Sequence, residues 1–366
     1  MKHHILTVAA AAAALSGCAT TDIAKSANFI KKARTAQQLV GGTMEAVNPG
    51  DGPVAASTAS LASAAPISDG PMAIPMRRMD GKEKILAHQP RLALVGYNVG
   101  GYTSAKATGK ASGDLLGYSQ GSRSTIEMTA TGITPELLQR VADYAHDDLV
   151  AKLRAAGVDV VPAQDVRATP SADKLKFAPA PYETKLTTEL GKKSVVVAGP
   201  SGVGPQQHLG IGKRAMGGNA IVRPSAELQA VMVMPNLVLD FAALKARGGA
   251  LTSRSSASGQ VRFAVDASSR FNIQSSKGRF LDGWLNYGIK KPVVADADFA
   301  VVGEASTKSN TLERGLGAAL GMATAKKSTK SMIVSVDPDR YEALARSAAA
   351  GWNDAFVAQI TAARGG

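Results

Sequence analysis

One cysteine, Cys18, is all that this 366-residue chain carries. No internal disulfide can form, and thiol redox chemistry is excluded. Histidine is nearly as scarce: beyond the first few residues only His88, His146 and His208 occur, with no His-x-x-x-His pair, so no metal site is expected. Aromatic residues make up 5%, too few for the stacking platforms that hold single-stranded bases, and the cations are scattered, so no nucleic-acid partner is expected. Long apolar runs are missing as well. Residues 5–15 span about half of what a membrane-crossing helix needs, and the run 226–244 carries Glu227 and Asp240 and is broken by Pro235. Acidic residues are outnumbered 29 to 42, giving a formal charge of +13. A basic surface suits an anionic neighbour such as lipid headgroups, cell-wall polymer or an acidic protein.

What is present starts with Leu15-Ser16-Gly17-Cys18, closing a short apolar run that follows Lys2. This order reads as a bacterial lipoprotein signal peptide over residues 1–17. Cys18 is then the expected lipidation site, and several acyl chains on one anchor make attachment effectively permanent. Ala19 rather than Asp follows it, which resembles the sorting signal for the outer membrane. The expectation is a lipid-anchored protein on that membrane, facing the periplasm, with membrane lipid as its first partner.

Residues 18–90 read as anchor and flexible linker: 22–47 has loosely helical spacing, and 48–76 is rich in Pro, Gly, Ser and Ala with no face to bury. The body is expected over 91–366, with subdomains at 91–200 and 220–366. It opens on a strand at 92–99, followed by a Gly-, Ser- and Thr-rich stretch to Gly132 that reads as a flap or a weakly marked hairpin. Thr134-Pro135-Glu136 starts a helix, with threonine as cap and proline in the first turn. Leu137, Leu138, Val141, Ala145, Leu149 and Leu153 share its face, Gly157 ends it, and 158–161 forms a strand. Residues 194–199 read as another strand. The Gly-rich basic segment 201–214 lacks the glycine and hydroxyl spacing of a phosphate loop, because Gln207 and Arg214 stand there.

Strands are further expected at 236–241, 293–302 and 332–336. The sharpest alternation runs from Val261 to Gln274: Val261, Phe263, Val265, Ala267, Phe271 and Ile273 define a dry face, and Arg262, Asp266, Ser268, Arg270, Asn272 and Gln274 a wet one. Residues 312–325 give a weak Gly-rich helix pattern. A final helix starts at Asp337-Pro338, with Tyr341, Leu344, Ala345, Ala348, Trp352, Phe356 and Ile360 on its buried face. The fold class is therefore α/β, a mixed or antiparallel sheet with packed helices, preceded by the lipoprotein signal peptide and linker.

The lipidation motif, the linker, the first strand, the helix over 134–156, the strand at 158–161 and the later amphipathic strands resemble outer-membrane lipoproteins of the curli-secretion-channel family. The resemblance covers residues 91–290 and is architectural. It implies a periplasmic α/β domain multiplied in a homo-oligomeric ring, each subunit giving two hairpins to a shared barrel. Two departures stand out: the polar insertion 100–132, and barrel periodicity confined to 260–274. No functional residue transfers.

Candidates for catalysis are few. His146 with Asp147 and Asp148 is expected on a solvated helix flank, and Glu127, Asp240, Asp266 and Glu304 are carboxylates of unknown relation, where a glycosidase needs two across a cleft. No catalytic residue and no cofactor is assigned. Lys326, Lys327 and Lys330 form a basic patch, expected between two elements, that would bind an anionic envelope component or a protein partner. The resulting order of functions is a non-enzymatic scaffold or assembly factor of the envelope, then a secretion-channel subunit, then a cell-wall or polysaccharide enzyme.

Overall fold

The computed structural model describes Ile67 and residues 70–87, 90–113, 120–188, 191–207, 211, 219–248, 255–277, 283–309 and 327–365. Cys18, Lys326, His88, His208, the signal peptide and the pattern at 312–325 lie outside these residues.

The chain begins with β1 (Arg77–Gly81), β2 (Arg91–Leu94), β3 (Asn98–Tyr102), β4 (Ser104–Gly113) and β5 (Gln120–Thr131). Then follow α1 (Pro135–Ala155), β6 (Asp159–Val161), α2 (Ala163–Arg167), β7 (Tyr182–Thr188), β8 (Gly191–Ala198) and α3 (Asn219–Leu228). The last part holds β9 (Ala230–Arg247), β10 (Ser256–Val265), β11 (Arg270–Gln274), β12 (Trp284–Gly288), β13 (Val293–Val294), β14 (Ala300–Ser309), β15 (Lys327–Val336) and α4 (Pro338–Gly365). The fold is mixed α/β. Its larger sheet follows the order β1-β12-β11-β9-β3-β8-β7, with β10 and β2 also on β9, β13 on β10 and β6 on β2. The smaller sheet is β14-β15-β5-β4. Both sheets draw strands from either half of the chain.

The organiser is β9, whose residues from Ala230 to Ala242 are all buried. One side pairs in parallel with β2 and then β3, the other antiparallel with β11 and then β10. Pro235 sits where the neighbour changes from β2 to β3, a position at which a missing N–H disturbs the ladder least. The expected strand 236–241 is thus the middle of a much longer one. The expected strand at 293–302 divides into β13 and the start of β14.

Over one face of the larger sheet lie α1 and α4. The threonine cap forms as expected, the Leu137 amide donating to Thr134 Oγ1 at 3.2 Å, and α4 starts with Asp337 Oδ1 accepting from the amides of Asp339 and Arg340. Every residue named for the two helix faces is buried. Trp352 and Phe356 of α4 stack on Phe271 of β11, with ring centroids 5.3 and 3.7 Å apart. On the other face, Met232, Met234, Ala93 and Val95 pack with Val166, Leu175 and Ile221.

Three expectations are corrected. Folded structure begins before Arg91: β1 pairs with β12, and the turn 83–87 buries Ile85 and Leu86. Residues 70–76, read as linker, include a strap on α4, where the Met72 amide donates to Ser347 O at 3.0 Å. A side chain at Gly351 would collide with the Met72 carbonyl, so the strap lies directly on the helix backbone. The strand 261–274 is broken by a turn at 266–269, in which Asp266 Oδ1 accepts from the Ser268 amide at 2.8 Å. These four residues oppose only Leu237 and Val238 of β9. The excess is two residues, so Phe263, Val265, Phe271 and Ile273 stay in phase and all are buried. The wet face fails at its end: Asn272 and Gln274 are buried too, because β11 is covered on both sides.

Candidate anion-binding face

The stretch 100–132 is a long hairpin. After β3 the chain passes Thr103 and continues as β4 into the smaller sheet, and β5 returns beside it. Ala105, Ala107, Ala111, Ile126, Met128 and Ala130 face inward and are buried. They pack on the far ends of β9 and β10, where a side chain at Gly109 would strike the carbonyls of Arg247 and Ser256. Ser124 Oγ donates to Ser255 O at 2.8 Å across the same contact. Small residues let the two layers approach closely.

Period two then fixes the opposite face. Lys110 of β4 pairs with Arg123 of β5, and Arg123 pairs with Lys327 of β15, so three exposed cations share one cross-strand row. Neighbouring strands are about 4.8 Å apart, which puts the outer two about 10 Å from each other. None of the three has an ion-pair partner among the described residues. Like charges directly opposite one another are destabilising, a cost that a bound anion removes. The next row along the sheet is Thr108, Thr125 and Thr329, with Thr108 Oγ1 and Thr125 Oγ1 3.2 Å apart. Beyond it Lys106 is matched by Glu127, Nζ to Oε1 2.5 Å. The face therefore carries exposed cations in one row and, in the next, half-buried Thr108 and Thr329 on either side of the buried Thr125, without aromatic rings.

The basic patch expected from sequence is divided. Lys327 and Lys330 lie within β15, three residues apart, and a strand sends such residues to opposite faces. Lys327 belongs to the cation row, while Lys330 is level with the buried Ile126. Sequence reasoning missed Lys110 and Arg123. The signal available was the alternation Ala105-Lys106-Ala107-Thr108-Gly109-Lys110-Ala111, whose small residues carry little hydropathic contrast.

The other candidates are placed as follows. His146 is buried, with Nδ1 3.0 Å from Asp147 Oδ1, which corrects the solvated flank expected for it. Asp148 instead joins Lys152 at 2.9 Å and accepts from Asn353 at 2.8 Å, fastening α1 to α4. Asp240 and Asp266 are brought near each other. The buried Asp240 holds Lys193 at 2.5 Å, and Lys193 Nζ lies 4.5 Å from the centre of the Tyr102 ring. Burial pushes the Asp240 carboxyl above its ordinary range, with Lys193 opposing, and burial together with the charges of Asp266 and Asp240 pushes Tyr102 up. Glu304 lies in β14, its side chain outside the described residues. The Gly-rich turn after β8 is occupied from within: the Ser201 amide and hydroxyl both donate to Asp143, at 2.6 and 2.8 Å. Among the described residues no three His, Cys, Asp or Glu side chains are grouped to hold a metal ion, and no helix is long and apolar enough to cross a membrane.

No family model, curated protein or solved structure matches this chain.

Proposed function

We propose that this chain is a non-enzymatic scaffold or assembly factor of the cell envelope that holds an anionic component on the outer face of its smaller sheet. The observation that carries this reading is the row Lys110, Arg123 and Lys327. Three strands contribute one exposed cation each to a single row, and the excess of basic over acidic residues in the chain reinforces the field around it. The signal in residues 1–17 complements it: lipidation at Cys18 would tether the body to the outer membrane on the periplasmic side, keeping the cationic face within reach of envelope anions.

Three of the four carboxylates named for an enzyme have other employment. Glu127 neutralises Lys106, Asp240 neutralises Lys193, and Asp266 shapes the turn between β10 and β11. A channel subunit is the second reading, favoured by strands of ten to twelve residues in β4 and β5, the length that crosses a bilayer. Two features argue against it: the apolar side of β4 and β5 is packed on β9 and β10, and β5 runs parallel to β15, whereas hairpins in a barrel alternate in direction.

Sedimentation of the purified protein with phosphatidylcholine vesicles, with and without phosphatidylglycerol, tests the proposal over a salt series. Each cation near an anionic surface contributes about 1 kcal/mol. The triple variant K110Q/R123Q/K327Q should therefore bind anionic vesicles about a hundredfold more weakly at low salt and show a flatter salt dependence. Inorganic polyphosphate as competitor separates a free anion from a lipid surface. Equal binding by wild type and triple variant at every salt concentration would remove this face from the functional account.

A further inference from the structure

The edges of the two sheets are protected unequally. At one end of the larger sheet, β1 is bulged between Arg78 and Asp80 and preceded by Pro75. β6 and β13 are three and two residues long. In the smaller sheet β14 is irregular between Val302 and Ala305, and the edge strand β4 carries Lys106 and Lys110, which repel a second copy of themselves. These are the usual devices against strand addition. β7, the other end of the larger sheet, follows Pro181 and carries Lys185, but it is seven residues long, unbulged, and its lysine stands two residues from the oppositely charged Glu183.

Its ladder with β8 runs without a shift from Tyr182 opposite Val197 to Thr188 opposite Gly191. It contains no proline and no bulge. Among the described residues, its backbone has no hydrogen-bond partner outside β8. Its side chains alternate: Glu183 and Lys185 are exposed, while Tyr182, Thr184 and Leu186 are half-buried, with Tyr182 and Leu186 against the core.

We infer that β7 is the self-association edge of this protein and pairs antiparallel with β7 of a second copy across a two-fold axis through Thr184. Charge complementarity selects both the partner and the register. Centred on Thr184, the pairing sets Glu183 opposite Lys185 of the second copy, and by symmetry does so twice. Tyr182 falls opposite Leu186 on the other face, and threonine meets threonine at the axis. Centring on Glu183 sets two carboxylates together, and centring on Lys185 sets two ammonium groups together. Opposite-charge and aromatic-aliphatic cross-strand pairs each stabilise a sheet, and like charges disfavour it. An isologous interface of this kind closes at two copies and leaves no growing end. The larger sheet continues through the pair, while the cationic face of the smaller sheet takes no part.

Sedimentation equilibrium of the full chain in detergent tests the inference with charge reversals. Wild type should form a dimer. E183K alone sets ammonium against ammonium, K185E alone sets carboxylate against carboxylate, and each should raise the dissociation constant at least tenfold. An equimolar mixture of the two single variants should restore a dimer, because every charged pair across the axis is then opposite, and so should the double exchange E183K/K185E. Circular dichroism of each variant checks that the fold survives. A wild-type monomer at the highest soluble concentration, a dimer indifferent to E183K, or no recovery in the mixture would each overturn the inference.

Discussion

Two parts of the body bury surface by opposite means. Under α1 and α4, large rings fill the space: Trp352, Phe356, Phe271, Tyr287 and Phe263 are all fully buried, and Phe356 lies nearly parallel to Phe271, 4° between planes. Between the smaller sheet and the ends of β9 and β10, Ala105, Ala107, Gly109, Ala246, Ala257 and Gly259 make most of the contact, around Ile126, Met128 and Leu244, with serines at its rim. The first arrangement takes its stability from apolar volume. The second takes less from volume, but brings strands close enough to hold a sheet whose other face carries charge. Stability and the proposed binding surface are thus carried by different chemistry in neighbouring parts of one fold.

Removing volume should hurt the first region most. Trp352→Ala is expected to cost about 3 to 5 kcal/mol, a large share of the stability of an ordinary domain. A denaturant melt would show it as a lower midpoint; an unchanged midpoint would mean that the stack with Phe271 is not where stability resides. Adding volume should hurt the close-packed layers of the second. Gly109→Val drives a side chain into the backbone of Arg247 and Ser256, at a cost of about 1 to 3 kcal/mol, and should weaken anionic-vesicle binding by disturbing the register between Lys110 and Arg123. Normal binding together with normal stability would show that the layers are not in close contact.

A smaller effect sharpens the helix side. Burial pushes Glu342 up, but hydrogen bonds from Arg140 and Arg346 outweigh it and hold its carboxyl below the ordinary 4.5. A carboxyl with a depressed folded value stabilises the fold above its unfolded value, and that contribution is lost as pH falls through the lower one. Melts of wild type and Glu342→Gln between pH 7 and about pH 2 should therefore converge at the acid end. A constant gap would dissociate the α1–α4 ion pairs from acid stability.

The legibility of these regions follows the same division. Both helices were readable because capping and the 3.6-residue period are local: Thr134 caps through an amide three residues away, and the spacing from Tyr341 to Ile360 alone names a buried face. Of the dry face of 261–274, Phe263, Val265, Phe271 and Ile273 were readable because the turn between them adds an even number of residues; Val261, before a one-residue bulge, and Ala267, in the turn, are only half-buried. Asn272 and Gln274 were misplaced because one strand cannot announce whether its second side is covered. The hairpin 104–131 reads from sequence as either a flap or a weakly marked hairpin, since alanine, glycine, serine and threonine give almost no hydrophobic alternation until another layer is set against them.

The sequence by itself determined the periods, the caps, the charge and the single cysteine, because each is a property of residues next to one another along the chain. Tertiary structure alone decided that Lys110, Arg123 and Lys327 share a row, that Lys330 leaves it, and that Glu183 and Lys185 lie on the strand that ends the larger sheet among the described residues. The physical reason is that strand order and register are set by contacts between segments as far apart as β5 and β15, and those contacts are fixed by which buried faces fit together, not by anything a strand carries within itself.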